Sequence, residues 1–432
     1  MSYPLTPLTL LLWGTIFSIE PSGTILNYCL DQPREIESFV GDTVTLPCKF
    51  TYPEKKETVS DVAIIWKAHD VPYCGKTEDE IYSSKTNVSF SKYPGRLLLQ
   101  GDPIDKNVSL ILNNAIPNDR NRYCCRVIIS YKDKKKVEFQ SPDGTNLIVR
   151  GEQELKLDQP YFIPALYGDT VTLLCRISSM KNIIPPFNSC RLWRSTGKNP
   201  ACDKLVHSGD CSDRFRENIL YYKIYQTLSS HQGWYCWEIR DTNTQKTYKK
   251  AFGTQLVIVG RTNDIKVIQP QEIVSTFQRN LVISCSFTKP FINSVSEEVY
   301  WMIGDPREDY VYHPNLDFIN SDYKGRTRLV DGSNLLLQDV HGLNNTIFYC
   351  RVMIQHCGSF ANKTEVIMGE GPGTLLRIYN VTGPPESGTT LSLCPQSLIL
   401  LVCVALKFIL LLSLFILALV HIKLMTSNSQ SR

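Results

Sequence analysis

The residues of this chain that could do chemistry are its cysteines, a few arginines and one lysine in an unexpected place. Of 15 cysteines, 14 precede an apolar run at 398–420. Thiols at that density, together with glycosylation sequons at Asn87, Asn107, Asn344, Asn362 and Asn380, belong to an oxidising compartment and predict disulfides. The 7 histidines are scattered, and there is no HExxH, zinc-spaced CxxC pair, GxSxG or glycine-rich phosphate loop. The expectation is a non-enzyme without cofactor or metal. A net charge of +4 on 432 residues is no nucleic-acid signature either.

The lysine is Lys407, about midway along the apolar run. As a helix the run would measure roughly 34 Å, enough to cross a hydrocarbon core of about 30 Å. A lysine at its centre costs about 2.5–3.5 kcal/mol and cannot reach the interface without distorting the bilayer. Tolerating that cost predicts an acidic partner on a neighbouring helix; the bland alternative is a lysine carried by a strongly apolar segment. His421, Lys423 and Arg432 follow the run, while no Lys or Arg lies between Arg377 and it. The expected topology is therefore type I, single-pass at the cell membrane, with tail 421–432 inside. That tail has no tyrosine and no catalytic segment. LTLLLWGTIFSI places a signal peptide at 1–23, and VTGPPESGTT opens a flexible stalk that runs over 382–397.

The elements that must hold the cysteines recur three times. The first pass reads GDTVTLPC (Cys48), AIIW (Trp66), RYCCRV (Cys125) and DGTNLIV; the second GDTVTLLC (Cys175), CRLW (Trp193), GWYCW (Cys236) and FGTQLVIV; the third NLVISC (Cys285), EVYW (Trp301), IFYCRV (Cys350) and PGTLLRI. Alternation such as TVTLPC describes a half-buried strand, so the fold class is all-β, with three tandem sandwiches ahead of a single transmembrane helix. The constellation of Cys, Trp and Cys resembles the immunoglobulin domain. That resemblance implies inter-sheet bonds Cys48–Cys125, Cys175–Cys236 and Cys285–Cys350, each packed against its tryptophan, in mostly V-type sandwiches at 24–151, 152–261 and 262–381.

Adjacent strand residues face opposite ways, so in YCC an inward Cys125 turns Cys124 outward. Cys74 is its best-placed partner; a free thiol at Cys124 is the other outcome. Cys190, Cys202 and Cys211 allow one further bond with one thiol left over, and Cys29, Cys357 and Cys394 leave cross-links between chains open, including a disulfide-linked dimer.

Finer matches lie in FTYPEKKETVSDVAIIW, SSKTNVSFSKYPGRLLL, YCCRV and FQSPDGTNLIV, which resemble the V domain of the paired immunoglobulin-like type 2 receptors. QPQEIVSTF, YKGRTRL and IFYCRV in the third repeat resemble both that family and the natural cytotoxicity triggering receptors. The resemblance implies a cell-surface immune receptor for an extracellular protein or sialoglycan. An arginine after the late Cys would pair with the sialic acid carboxylate: Arg126, and Arg351 in the third repeat, whereas the second has Trp237 there. Phe139 would supply an aromatic on the closing strand. Arg96 and Asp119 match a structural ion pair, which Asn344 would weaken in the third repeat. Lys407 matches the membrane lysine through which activating members pair with an adaptor carrying an aspartate in its helix and tyrosine activation motifs in its tail. The competing reading is an adhesion or decoy molecule that does not signal.

Overall fold

The computed structural model describes residues 28–379, apart from 54–58, 71, 76–78, 87–91, 196–201, 212–213, 277–279, 291–293, 305–306, 341 and 359–363. The expected signal peptide, stalk, membrane segment and tail lie outside the described residues, as do Lys407, Cys394, Asn87, Asn362 and Asn380. Sequon residues Asn107 and Asn344 are exposed. Among the described residues there is no α-helix, hence none long and apolar enough to cross a membrane.

Among the described residues, thirty-one strands build three sandwiches of one plan. In the first, the smaller sheet runs Cys29–Asp31, Val44–Thr51, Asn107–Leu112 and Leu97–Gln100. The larger runs Glu35–Phe39, Thr145–Arg150, Arg122–Tyr131, Val59–His69 and Glu80–Ser83, with Lys136–Gln140 also paired to Arg122–Tyr131. Val44–Thr51 shows why the sequence folds this way. Val44, Leu46, Cys48 and Phe50 are buried while Thr45, Pro47 and Lys49 between them are more exposed, so the strand leaves one apolar face to cover, and the opposing sheet covers it. Cys48 bonds Cys125 beside a fully buried Trp66, and Cys285 bonds Cys350 beside Trp301. All three sandwiches carry the extra strand next to their central hairpin: Glu80–Ser83, Lys204–Gly209 and Asp309–Tyr312.

The second sandwich departs from the expected constellation. Cys236 is bonded to Cys202 and Cys190 to Cys211, while Cys175 is a buried free thiol; the expected Cys175–Cys236 bond does not form. The reason is strand parity. Each sandwich contains a glutamine, buried in the first and third and half-buried in the second, whose Oε1 accepts the backbone N–H of one residue on the late strand: Gln32 from Cys125 at 3.2 Å, Gln159 from Trp237 at 3.1 Å and Gln269 from Cys350 at 3.1 Å. Trp237, not Cys236, therefore stands at the position of the core cysteine, and Tyr235, Cys236 and Trp237 correspond to Tyr123, Cys124 and Cys125. Tyr235 and Trp237 point into the core together with Leu192, while Trp193 lies opposite Cys236 on the outer face. Cys202–Cys236 is thus the counterpart of Cys74–Cys124, the outer staple of the first sandwich. Gly144 and Gly253 sit against these staples, where a Cβ would overlap a cysteine sulfur and the carbonyl of Tyr123 or Tyr235.

The described residues, 28–379, form one compact unit, closed by bonds between sandwiches. Cys29 is joined to Cys357, 328 residues on, so this bond lies within the chain rather than between chains. Lys250 of the second sandwich reaches Glu35 at 3.1 Å and Glu37 at 3.3 Å in the first. Burial opposes the Lys250 charge, but Glu37 and Glu35 outweigh it and raise its pKa; burial likewise raises Glu35. Tyr161 donates to Asp31 at 2.9 Å, and Lys49 donates to Ser296 at 3.3 Å. Arg176 pairs with Asp317, and Lys223 with Glu308. Between the second and third sandwiches an apolar layer of Leu166, Tyr300, Met353 and Met368 is buried, with Phe162 and Val259 against it.

Candidate functional site

The outer face of the larger sheet in the first sandwich gathers the sequence-derived candidates, and parity decides which of them it presents. Along Arg122–Tyr131, Tyr123, Cys125, Val127 and Ile129 enter the core, which leaves Cys124, Arg126 and Ile128 on the outside. Arg126 lies between Ile65 and Gln140 of the neighbouring strands. Its Nε donates to Gln140 Oε1 at 3.1 Å, and its Nη1 is 3.6 Å from Glu138 Oε2. Gln140 in turn donates to the carbonyls of Cys74 and Gly75, at 3.0 and 2.9 Å. The staple Cys74–Cys124 thus fixes the loop that fixes Gln140, and Gln140 fixes the guanidinium.

This geometry can receive a carboxylate. The Arg126 side chain is 17% exposed and that of Glu138 53%. Glu138 is exposed and its contact is long, and pairs with one partner in solvent are worth about 0–1 kcal/mol, so a ligand acid with better bidentate geometry can displace Glu138. Phe139 does not take part. It alternates with Glu138 and Gln140, points inward, and packs on Tyr28 and Phe50 with ring centroids 5.4 and 6.3 Å away. The expectation that it lines the site is corrected by that parity.

Arg351 is corrected more sharply. It is 1% exposed and clamped between two sandwiches, its Nη1 and Nη2 lying 2.6 and 3.0 Å from the Asp169 carboxylate and its Nε 3.1 Å from Glu370 Oε2. Burial works against its charge, but Asp169 and Glu370 more than compensate and raise its pKa. It is a structural clamp, closed to ligand. Arg96 grips Asp119 at 2.7 and 3.0 Å. In the third sandwich Arg326 instead donates to the carbonyls of Asp322, Gln338 and Asp339, while Asn344 accepts from the backbone of Ile378. Among the described residues no group of histidine, cysteine or acidic side chains is arranged to hold a metal ion.

Sequence reasoning missed the three core-facing glutamines and the partners of Arg126 and Arg351. A signal for the first was present: Gln32, Gln159 and Gln269 each precede a proline, in LDQP, LDQP and VIQP. Nothing comparable marked Asp169 as a partner, because its contact with Arg351 joins residues 182 apart in the chain, nor Glu370, which reaches Arg351 from the paired strand 19 residues on.

Paired sheets bridged by a buried disulfide over a tryptophan, with an extra edge strand, define immunoglobulin-type sandwiches. Residues 31–150 match the immunoglobulin V-set domain, so the first sandwich is a V-set domain. The chain is similar to human myelin-associated glycoprotein, 30% identical over 22% of this chain and 15% of the relative. It is also similar to the mouse hepatitis A virus cellular receptor 1 homolog, 30% identical over 27% and 38%. Human sialic acid-binding Ig-like lectin 15 is 28% identical over 24% of this chain and 33% of its own length. The chain thus spans well under half the length of these relatives.

Proposed function

We propose that this chain is a type I cell-surface receptor. It binds an extracellular ligand through the larger sheet of its first sandwich and signals by pairing Lys407 with an acidic residue of a transmembrane adaptor bearing tyrosine activation motifs. The observation that carries the reading is the contrast between two arginines at one position of one fold. Arg126 stands at an outer face, held from behind by Gln140 and closed in front only by the exposed Glu138, whereas Arg351 is consumed by Asp169 and Glu370. Recognition therefore belongs to the V-set domain, and the third sandwich is its platform. A sialylated glycoprotein suits Arg126, since a planar guanidinium takes a carboxylate through two bonds. That one relative is by name a sialic acid-binding lectin supports the same class of ligand.

The test is capture of the full chain, displayed on cells, by ligand-bearing cells before and after sialidase. Sialidase treatment and Arg126→Ala should each weaken capture about tenfold or more, the scale of one lost charged hydrogen-bonding pair. Capture unchanged by both would exclude a sialylated ligand at Arg126.

A further inference from the structure

At the end of the first sandwich, away from Arg126, a hollow of about 530 Å³ opens between Tyr52, Val59, Val62, Pro103, Ile104 and Lys106. Most of that lining is apolar, and Ile104 is 71% exposed at its rim. Ser60, Asp61 and Asp102 complete the wall, but both acids are engaged. Asp61 pairs with Lys85 at 2.6 Å, and Asp102 accepts the backbone N–H of Ile104 at 2.8 Å. Lys106 lies 4.6 Å from the Tyr52 ring centroid.

Beside the hollow stands a basic hairpin. Val59 is the register partner of Tyr131, whose hydroxyl is 2.8 Å from that of Tyr28; from Tyr131 the chain turns through Lys132, Asp133, Lys134, Lys135 and Lys136, all exposed. The turn is tightly made. The Lys134 N–H donates to Tyr131 O at 3.0 Å, the Tyr131 N–H donates to Lys135 O at 2.9 Å, and Lys134 adopts a left-handed φ of 65°. Five consecutive residues thus carry four lysines and one aspartate, a net +3 presented on a rigid support.

We infer that this end of the V-set domain is a second docking surface, and that its occupant is an acidic protein segment that inserts one apolar side chain into the hollow. The charge of the hairpin selects the acidic flanks and steers their approach. The apolar floor selects the inserted side chain, because burying it there removes water from Val59, Val62, Pro103 and Ile104. A glycan fits worse: those four residues offer its hydroxyls no side-chain partner, and buried hydroxyls without partners are costly. The inference rests on the reading that the first sandwich is the recognition domain, and it adds a site and a partner chemistry separate from Arg126.

The experiment uses the full chain displayed on cells and three probes. These are a labelled short peptide of glutamates around a central leucine, the same peptide with serine in place of leucine, and a heparin oligosaccharide. The leucine peptide should bind saturably, and about tenfold more weakly to Ile104→Asp and to the double variant Lys134→Glu/Lys135→Glu, the scale of about 1.4 kcal/mol. Arg126→Ala should bind it like the wild type, so this result and the sialidase result above fail independently. All these side chains lie at or near the surface, and equal display with unchanged thermal unfolding will show that the variants fold. No saturable binding, equal binding of the serine peptide or heparin, or an Ile104→Asp variant indistinguishable from wild type would each overturn the inference.

Discussion

Arg351 and Asp169 join the third sandwich to the second by two parallel hydrogen bonds, of 2.6 and 3.0 Å, in a region closed to solvent. Removing one partner of a buried pair strands the other charge, at a cost of about 3–5 kcal/mol. Arg351→Ala and Asp169→Ala should therefore each lower the unfolding temperature of the extracellular part and reduce the amount at the cell surface, without changing the ligand affinity of the molecules that arrive. A fold-neutral Arg351→Ala with weakened ligand binding would instead make Arg351 a ligand contact.

The Cys29–Cys357 bond closes a ring through all three sandwiches. Cross-links over long loops constrain the unfolded chain most, and losing one typically costs about 2–5 kcal/mol. Non-reducing digestion should yield the two cysteine peptides linked to each other, and Cys29→Ser should unfold at a lower temperature than wild type. Recovery of either peptide joined to a second copy of the chain would contradict the intramolecular bond.

The second sandwich predicts an inversion of the usual ranking of tryptophans. Trp237→Ala empties the core and should cost about 3–5 kcal/mol, whereas Trp193→Ala, on the outer face beside Lys249, should cost about 1 kcal/mol or less. Cys175 should resist maleimide in the native protein and label in denaturant, because burial excludes the reagent and pushes the thiol pKa well up. Peptide mapping reads both results.

Acid should loosen the third sandwich through His313. Its ring stands among Tyr300, Tyr310 and Phe318, at centroid distances of 5.0, 4.8 and 4.5 Å, and its Nδ1 accepts the N–H of Asn315. Burial pushes its pKa from 6.5 down to about 3. The unfolded chain therefore takes up the proton first, and stability present above pH 6.5 is lost as pH falls towards 3. Asp31 and Glu35, whose pKa values burial raises, act in the opposite sense, but only near and above their ordinary values of 3.8 and 4.5. His207, whose pKa burial also lowers, acts in the same sense as His313, so on acidification below pH 6.5 the wild type should lose thermal stability and His313→Phe should lose measurably less.

The sandwiches were legible because their strands alternate and their turns repeat. The register of the second sandwich was not, because its cysteine and tryptophan both slip by one residue, so matching residue types across repeats gave a bond that strand parity forbids. The glutamine before each proline was the better ruler, since its amide reaches a fixed backbone position whatever side chain stands there. The site was half legible. An arginine following the late core cysteine can be read from RYCCRV and IFYCRV alike, but its availability depends on what lies across a domain boundary, and for Arg351 that was Asp169. Phe139 failed for the simpler reason that adjacent residues of a strand face opposite ways.

The central claim is that recognition outside is connected to a separate signalling chain through Lys407. The most direct measurement is co-capture of candidate adaptors with the tagged full chain, expressed in cells that lack them, for wild type and Lys407→Leu. The account predicts that an adaptor with an acidic residue in its membrane helix is captured with the wild type and lost with leucine. Wild type and variant reaching the surface equally, with no adaptor captured by either, would contradict it and leave an adhesion or decoy molecule that does not signal.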